Sequence, residues 1–308
     1  MPALPTVKWV KYKSYSGCVI RDNSTLMPPT QSIYHLDRAV QLTSLVEVGG
    51  KFGVINSYDG AAMSAGLEHN VSVLPKTMDQ GGLFPALNLI RMAVPESTCP
   101  PLTSLLAAFK TAGWVLDAAG VLRVSTTGQE VSGQAIRNEF TPDNGVVPET
   151  GPKWEQAKRW ALLYNALFNH PATFHTQIES AKMGLLLGNK AGEIAAYKAI
   201  CGVSYPGILM VNVNLTPEQD LAMCVYHSHS VNAPSIARSC LIESSPDNTP
   251  AWPKRLIHIL GTRAYGNWKD TTNGSSRYDR TRTYAKNSGM WAPELFTGPS
   301  AIMPENVV

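Results

Sequence analysis

Two carboxylic acids and a hydroxyl lie close together in the sequence and have residue types suited to acid–base chemistry. Glu47 ends the apolar face of a predicted helix. Desolvation at that position and the negative end of the helix dipole both favour the protonated carboxyl group. A carboxyl group that stays protonated near neutral pH is what a general acid requires. We therefore predict that Glu47 donates a proton to a substrate.

The second carboxyl group, that of Asp59, follows beyond Gly49 and Gly50 in a polar segment that keeps a carboxylate ionised. The hydroxyl of Ser64 is suited to holding a water molecule. A protonated carboxyl, an ionised carboxylate and a bound water are the set that glycoside hydrolysis uses, with inversion where the carboxyls lie roughly 6.5–9.5 Å apart. Because a lytic transglycosylase needs no second carboxylate of this kind, Asp59 favours hydrolysis.

The elements that position these groups are a helix and a small hairpin. The helix is predicted to start after an N-cap at Thr30 or Ser32 and to end near Val48, before the Gly-Gly pair. Residues 51–69 mix Gly, Asn, Ser and Asp with short apolar pieces and predict an irregular hairpin. One face of the predicted helix is marked by residues at steps of three and four along the chain. They are Ile33, Leu36, Val40, Thr43 and Glu47.

Most of the remaining chain has helical periodicity. Thr216 is a predicted N-cap and is followed by a first-turn proline, Pro217, and an acidic residue, Glu218. Pro171 ends the apolar helical stripe over 154–170. The sequence predicts a predominantly α (α+β) fold with a small β-hairpin at the active site. The expected divisions are an extended arm or short strands at 1–30, a catalytic domain at 31–261 and an irregular basic and aromatic segment at 262–308. The predicted helices are 83–94, 102–115, 154–170, 173–187, 191–202 and 216–231.

Residues 31–69 resemble two families that share the lysozyme fold. The run from Glu47 through Tyr58-Asp59 to Ser64-Ala65-Gly66-Leu67-Glu68-His69 is similar to the acid and hairpin of phage-type lysozymes. The Asp-Gly and Ser-Ala-Gly parts also resemble the corresponding run of lysozyme-fold chitosanases. The resemblance implies a lysozyme-like domain.

The resemblance also implies roles for individual residues. Glu47 protonates the glycosidic oxygen, and Asp59 with Ser64 positions the attacking water. His69 braces the hairpin, and Ser64 stands where the families more often have Thr. Glu68 stands where the lysozymes usually have Gly, so it is a rival second carboxylate. The expected substrate-binding residues are Tyr58, Gly66, Glu68, His69 and Tyr164.

The function that follows is a peptidoglycan-degrading, bacteriolytic glycosidase of the muramidase type, with the glycan strand as its partner. Glucosaminidase, lytic transglycosylase and chitosanase activities stay open, as does a non-catalytic, wall-binding protein of a phage or injection apparatus. The first residues lack a signal peptide and the chain lacks an apolar run that could span a membrane. We expect synthesis in the cytoplasm and action in the periplasm or cell wall after delivery by a phage or secretion system. A delivery apparatus and an immunity or inhibitor protein are the further expected partners.

Composition and motifs argue against other classes. The net charge of +3 in 308 residues is too small to indicate a nucleic-acid partner. The 5 cysteines form no Cys-x-x-Cys pair, so neither a cysteine-based zinc site nor a disulfide framework is expected. We predict that His227 and His229 lie on a helix, where side chains two positions apart point in different directions, so they are not expected to share a metal ion. No metal and no cofactor are expected.

Overall fold

Helices dominate the structure, as the apolar periodicity predicts. The computed structural model describes the chain except residues 1–4, 13–14, 23, 31, 33, 58–61, 68–69, 73–81, 142–149, 188–197, 201–214, 264–267, 269–274 and 306–308. The described residues form a predominantly helical fold with small antiparallel sheets, which confirms the predicted fold class. They group into unit 1, which comprises Met1–Met27 and Lys51–Leu187, and unit 2, which comprises Pro28–Gly50 and Gly188–Val308. This division differs from the three segments expected from the sequence.

Unit 1 contains a five-stranded antiparallel sheet in which neighbouring strands follow one another along the chain. The register places Val19 opposite Asn56, and Asn56 opposite Ser64. The buried hydroxyl of Ser57 accepts a hydrogen bond of 2.9 Å from the Cys18 amide and so joins two strands through a side chain. The expected hairpin is thus the middle of a larger sheet. Its strands are β1 Lys8–Tyr12, β2 Tyr15–Ile20, β3 Ile55–Asn56, β4 Ser64–Ala65 and β5 Asn70–Val71.

The helices of unit 1 pack around a core of aromatic rings. The strands β6 Trp114–Leu116 and β7 Leu122–Val124 form a two-stranded sheet, and β6 begins within the segment expected to be one helix over 102–115. Gly113 has a φ of +78°, so the chain turns there from helix into strand. The helices are α2 Leu83–Ala93, α3 Pro100–Thr111, α4 Gly133–Phe140, α5 Pro152–Phe168 and α6 Pro171–Leu187.

Unit 2 is built on α1, His35–Val48, which packs against α7, Pro217–Ser230. The expected Thr216 cap of α7 is present as a capping box with Gln219. In α1 the N-cap position is Tyr34, which makes no side-chain cap bond, so the expected caps at Thr30 and Ser32 lie upstream of the helix start. The further helices are α8 Pro234–Glu243, α9 Trp252–Thr262 and α10 Arg277–Asn287.

One further predicted segment is wrong, and another lies mostly outside the described residues. The segment 262–308, expected to be irregular, contains α10, which begins with a capping box between Ser276 and Asp279. Most of the predicted helix 191–202 lies outside the described residues.

Candidate functional site

Glu47 lies in the last turn of α1, where the sequence analysis expected it. The helix ends because Gly49 adopts the left-handed conformation with a φ of +67°. The amide of Gly49 donates to the carbonyl of Leu45 and that of Gly50 to the carbonyl of Ser44, each at 3.0 Å. These bonds satisfy two carbonyls that a helix end otherwise leaves unpaired. The Gly-Gly pair therefore sets the position of Glu47, as predicted.

The carboxylate of Glu47 forms an ion pair with Arg277 at the start of α10. The side chain of Glu47 is 14% exposed and that of Arg277 4% exposed. Arg277 also donates through Nε to the carbonyl of Ser228 at 3.0 Å, so its guanidinium links α1, α7 and α10. A neighbouring positive charge stabilises the ionised carboxylate. This charge comes from a distant part of the sequence, and it opposes the two effects expected to keep Glu47 protonated.

Ser64 lies on β4 between Asn56 and Val71 of the neighbouring strands. The residue is 3% exposed. A water molecule held by its hydroxyl would therefore be buried.

Gly66 follows β4 and packs closely against α5. Its φ is +80°, and a Cβ atom built on it would lie 2.5 Å from the Cδ1 atom of Phe168. Because no side chain fits there, the described contacts give Gly66 a packing role.

Tyr164 is a core residue and not part of an open groove. It is fully buried among Phe109, Phe140, Trp160 and Phe168, and burial raises the pKa of its hydroxyl well above the usual value. Its hydroxyl has no hydrogen-bond partner among the described residues. The expected contact of Tyr164 with a sugar is therefore corrected, since this side chain has no exposed surface.

The remaining predicted site residues, Tyr58, Asp59, Glu68 and His69, lie outside the described residues. Of the predicted set, Glu47 belongs to unit 2, and Ser64, Gly66 and Tyr164 belong to unit 1. Each unit thus contributes predicted residues, and the pairing of Glu47 with Asp59 stays a prediction.

His227 and His229 lie on a helix, as predicted, and both are buried. Burial, followed by the charge of His35, lowers the pKa of His227 to about 3. Burial, followed by the charge of Arg277, lowers the pKa of His229 to about 3. Both rings are therefore neutral at neutral pH. The Nδ1 atom of His229 lies 2.9 Å from the carbonyl oxygen of Val225, one helical turn earlier.

A buried polar cluster in unit 2 was not found from the sequence. His35 on α1 lies 2.7 Å from Asp220 on α7 through Nδ1 and Oδ1, and Cys224 lies one turn further along α7. Burial opposes ionisation of Asp220, but the hydrogen bonds and charges of His35 and Arg38 lower the pKa of Asp220 below its usual value. One feature of the sequence points to part of this cluster: Asp220 and Cys224 are four residues apart on a helix, which places both on one face.

Comparison with known proteins adds no assignment: no family model, no curated protein and no solved structure matches the chain. Among the described helices, none combines the length and the apolar character that crossing a bilayer requires.

Proposed function

We propose that the protein is a lysozyme-like glycoside hydrolase that cleaves β-1,4 bonds in peptidoglycan, with Glu47 as its general acid. The observation that carries the proposal is the placement of Glu47 in the last turn of α1, directly before the Gly-Gly end of the helix. Its side chain is 14% exposed, so it is not wholly enclosed by the protein. The chain then continues into short antiparallel strands, in the order that the resemblance implies.

In the proposed reaction Glu47 protonates the glycosidic oxygen while Asp59 deprotonates a water molecule on the opposite face of the sugar. The water attacks the anomeric carbon, the glycosidic bond breaks, and the configuration inverts. Because Arg277 stabilises the ionised form of Glu47, the acid has to take up a proton before each turnover. The guanidinium of Arg277 meanwhile fixes the orientation of the carboxyl group.

The ion pair also supports a second candidate function, a wall-binding protein without catalysis. A carboxylate paired with a buried arginine has a structural role that needs no substrate. In this alternative the protein binds glycan strands, and Glu47 only joins α1 to α10. Both candidates act in the periplasm or cell wall after delivery by a phage or secretion system.

The test is digestion of purified peptidoglycan by the wild type and Glu47→Gln, with the fragments identified by mass spectrometry. We expect reducing-end muropeptides from the wild type. Glu47→Gln should release them about 10²–10⁴-fold more slowly, since a general acid contributes about that factor to the rate. The amide oxygen of glutamine still accepts from Arg277, which limits the loss of stability. Thermal unfolding followed by circular dichroism checks this.

Glu243→Gln is the matched control, because Glu243 also pairs with an arginine, Arg263, in unit 2 but is largely exposed. It should digest peptidoglycan like the wild type. Anhydro products from the wild type would instead establish a transglycosylase and remove the role of Asp59. If folded wild type releases nothing from peptidoglycan, the same comparison on chitosan tests the chitosanase activity. Equal binding of wild type and Glu47→Gln to walls, without products from either polymer, would support the non-catalytic candidate.

A further inference from the structure

Three metal-binding atoms from two helices of unit 2 converge on one point. They are Nδ1 of His35, Oδ1 of Asp220 and Sγ of Cys224, and they all lie within 4.8 Å of one another. Nδ1 lies 2.7 Å from Oδ1 and 3.6 Å from Sγ, and Sγ lies 4.0 Å from Oδ1. All three residues are buried, with exposures of 4% or less.

These distances are close to one face of a tetrahedral zinc site. Zinc binds nitrogen and oxygen at about 2.0–2.2 Å and sulfur at about 2.3 Å, so neighbouring ligand atoms lie about 3.3–3.6 Å apart. The sulfur–nitrogen distance already has this value. The nitrogen–oxygen pair needs to open by about half an ångström, which a small side-chain rotation provides.

The surroundings of Asp220 direct one of its oxygens to the cluster. Its other oxygen, Oδ2, accepts hydrogen bonds from Arg38 at 2.9 Å and from the indole of Trp291 at 2.6 Å. Metal-binding carboxylates are oriented by outer hydrogen bonds of this kind. Arg38 and Trp291 therefore hold the carboxylate with Oδ1 toward His35 and Cys224.

A nucleophilic cysteine is a poorer interpretation of the same residues. In a Cys-His-Asp triad the imidazole contacts the thiol through one nitrogen and the carboxylate through the other. Here both contacts are made by Nδ1 of His35. Burial, followed by the charge of Asp220, raises the pKa of the Cys224 thiol well above its usual value. Since Cys224 is also fully buried, a substrate cannot reach it.

We propose that His35, Asp220 and Cys224 bind one Zn²⁺ ion, which joins α1 to α7. Cys224 binds as the thiolate and its proton passes to solvent, while His35 carries its proton on Nε2 and binds through Nδ1. His227 follows on the same side of α7, with its ring centre 5.8 Å from that of His35, and supplies the fourth ligand after a side-chain rotation. The ion would stabilise the helix that ends in Glu47, whichever function Glu47 serves.

The first test uses the full chain, stripped of metal by a chelator and titrated with Co²⁺ and then Zn²⁺. We expect one Co²⁺ per chain and a thiolate-to-cobalt absorption band that Zn²⁺ abolishes. Cys224→Ser should lose the band. Cys240→Ser should keep it, because Cys240 is another buried cysteine of unit 2 outside the cluster. A band that survives in Cys224→Ser, or saturating Co²⁺ without any band, would overturn the proposal.

Two further measurements do not depend on a variant folding. Zinc at 100-fold excess over its Kd should raise the Tm of the wild type by about 5–10 °C. X-ray absorption at the zinc edge should then show one sulfur at about 2.3 Å and three nitrogen or oxygen ligands. No rise in Tm would show that the cluster is only a buried hydrogen-bond network. Bound zinc with no sulfur, or with two or more, would lie at another site, and either result would overturn the proposal.

Discussion

The core of unit 1 is built from aromatic rings, whereas the core of unit 2 also contains aspartate, histidine and arginine side chains. In unit 1 the ring of Trp160 lies between those of Phe109 and Phe140, with centroids 5.6 and 4.9 Å away. Among the described residues, the buried aspartate, histidine and arginine side chains all belong to unit 2. These are His35, Asp220, His227, His229 and Arg277.

The difference shows how the two units are stabilised. Burial of apolar area stabilises unit 1 with little dependence on pH. Unit 2 buries groups that are costly unless they stay neutral or are paired, so its stability depends on protonation. Perturbed ionisable groups are concentrated at functional sites more often than elsewhere. On this ground the buried ion pairs and histidines of unit 2 are the first described residues to test for binding.

The largest expected effect is the loss of an aromatic ring from unit 1. Trp160→Ala should lower the free energy of unfolding of unit 1 by about 3–5 kcal/mol, because a large cavity remains in the core. Hydrogen exchange should show the loss of protection in α3 and α5. Met92→Ala, which alters a side chain that is 73% exposed, should change stability by less than about 0.5 kcal/mol. An equal loss of protection in α1 and α7 would mean that the units unfold together.

Acidification should selectively weaken unit 2 of the metal-free protein. The pKa of His227 and that of His229 are about 3 in the folded protein, against 6.5 ordinarily. The unfolded chain therefore binds protons first, and stability falls as the pH drops from about 6.5 toward 3. Between pH 7 and pH 5 the loss is about 2 kcal/mol per histidine. The lowered pKa of Asp220 adds a loss at lower pH, when its carboxylate becomes protonated in the folded protein.

Urea unfolding at several pH values, resolved by hydrogen exchange, measures this effect. The double variant His227→Gln/His229→Gln should show a smaller dependence on pH than the wild type over the same range. A pH dependence of equal size in α3 and α5 would contradict the proposed difference between the two cores.

A smaller effect is expected at a close contact in unit 1. Gly66→Ala should destabilise the protein by about 1–3 kcal/mol, because the added methyl group meets the ring of Phe168 and φ is positive. Gly128→Ala isolates the second cause, since Gly128 has a φ of +69° and nothing within 4 Å of the added atom. Equal losses of free energy for the two variants in chemical unfolding would show that packing against Phe168 has no energetic weight.

The smallest effect concerns the cap of α7. Thr216→Ala should cost unit 2 about 1 kcal/mol, because its hydroxyl accepts from the Gln219 amide at 3.3 Å. Ser104→Ala is the control in unit 1, since this exposed hydroxyl only bonds back to the Pro100 carbonyl within α3. Alanine there should be neutral or slightly stabilising. Thermal unfolding compares them, and a neutral Thr216→Ala would mean that neighbouring elements hold α7 without its cap.

Local signals in the sequence predicted much of the fold. Gly49 ends α1 and Thr216 caps α7, and each of these effects depends on the conformation of a few neighbouring residues. The helices α4, α8 and α9 were not predicted. The helix expected to continue to Val115 ends earlier, because strand pairing with β7 takes over its last residues. Helical and extended conformations compete there, and pairing with a later segment decides between them.

The candidate site was predictable only in part. Glu47 could be placed at a helix end because periodicity and the Gly-Gly pair are both local. Its partner Arg277 follows 230 residues later, and His35 and Asp220 are 185 residues apart. Separations of this size along the chain do not indicate that the two side chains of either pair are in contact. The position of Tyr164 on a helical stripe does not show how deeply its ring is buried, so the predicted place in a groove was wrong.

The amino-acid sequence thus set the class of fold, the C-terminal end of α1, the cap of α7 and the position of Glu47 at the end of α1. Propensity, capping and periodicity act between residues a few positions apart, so these features can be inferred without knowing the packing. Tertiary structure alone decided that Glu47 meets Arg277, that Tyr164 and Ser64 are buried, and that three metal-binding atoms converge in unit 2. Such contacts depend on which distant helices pack together, and that packing is settled by the whole core.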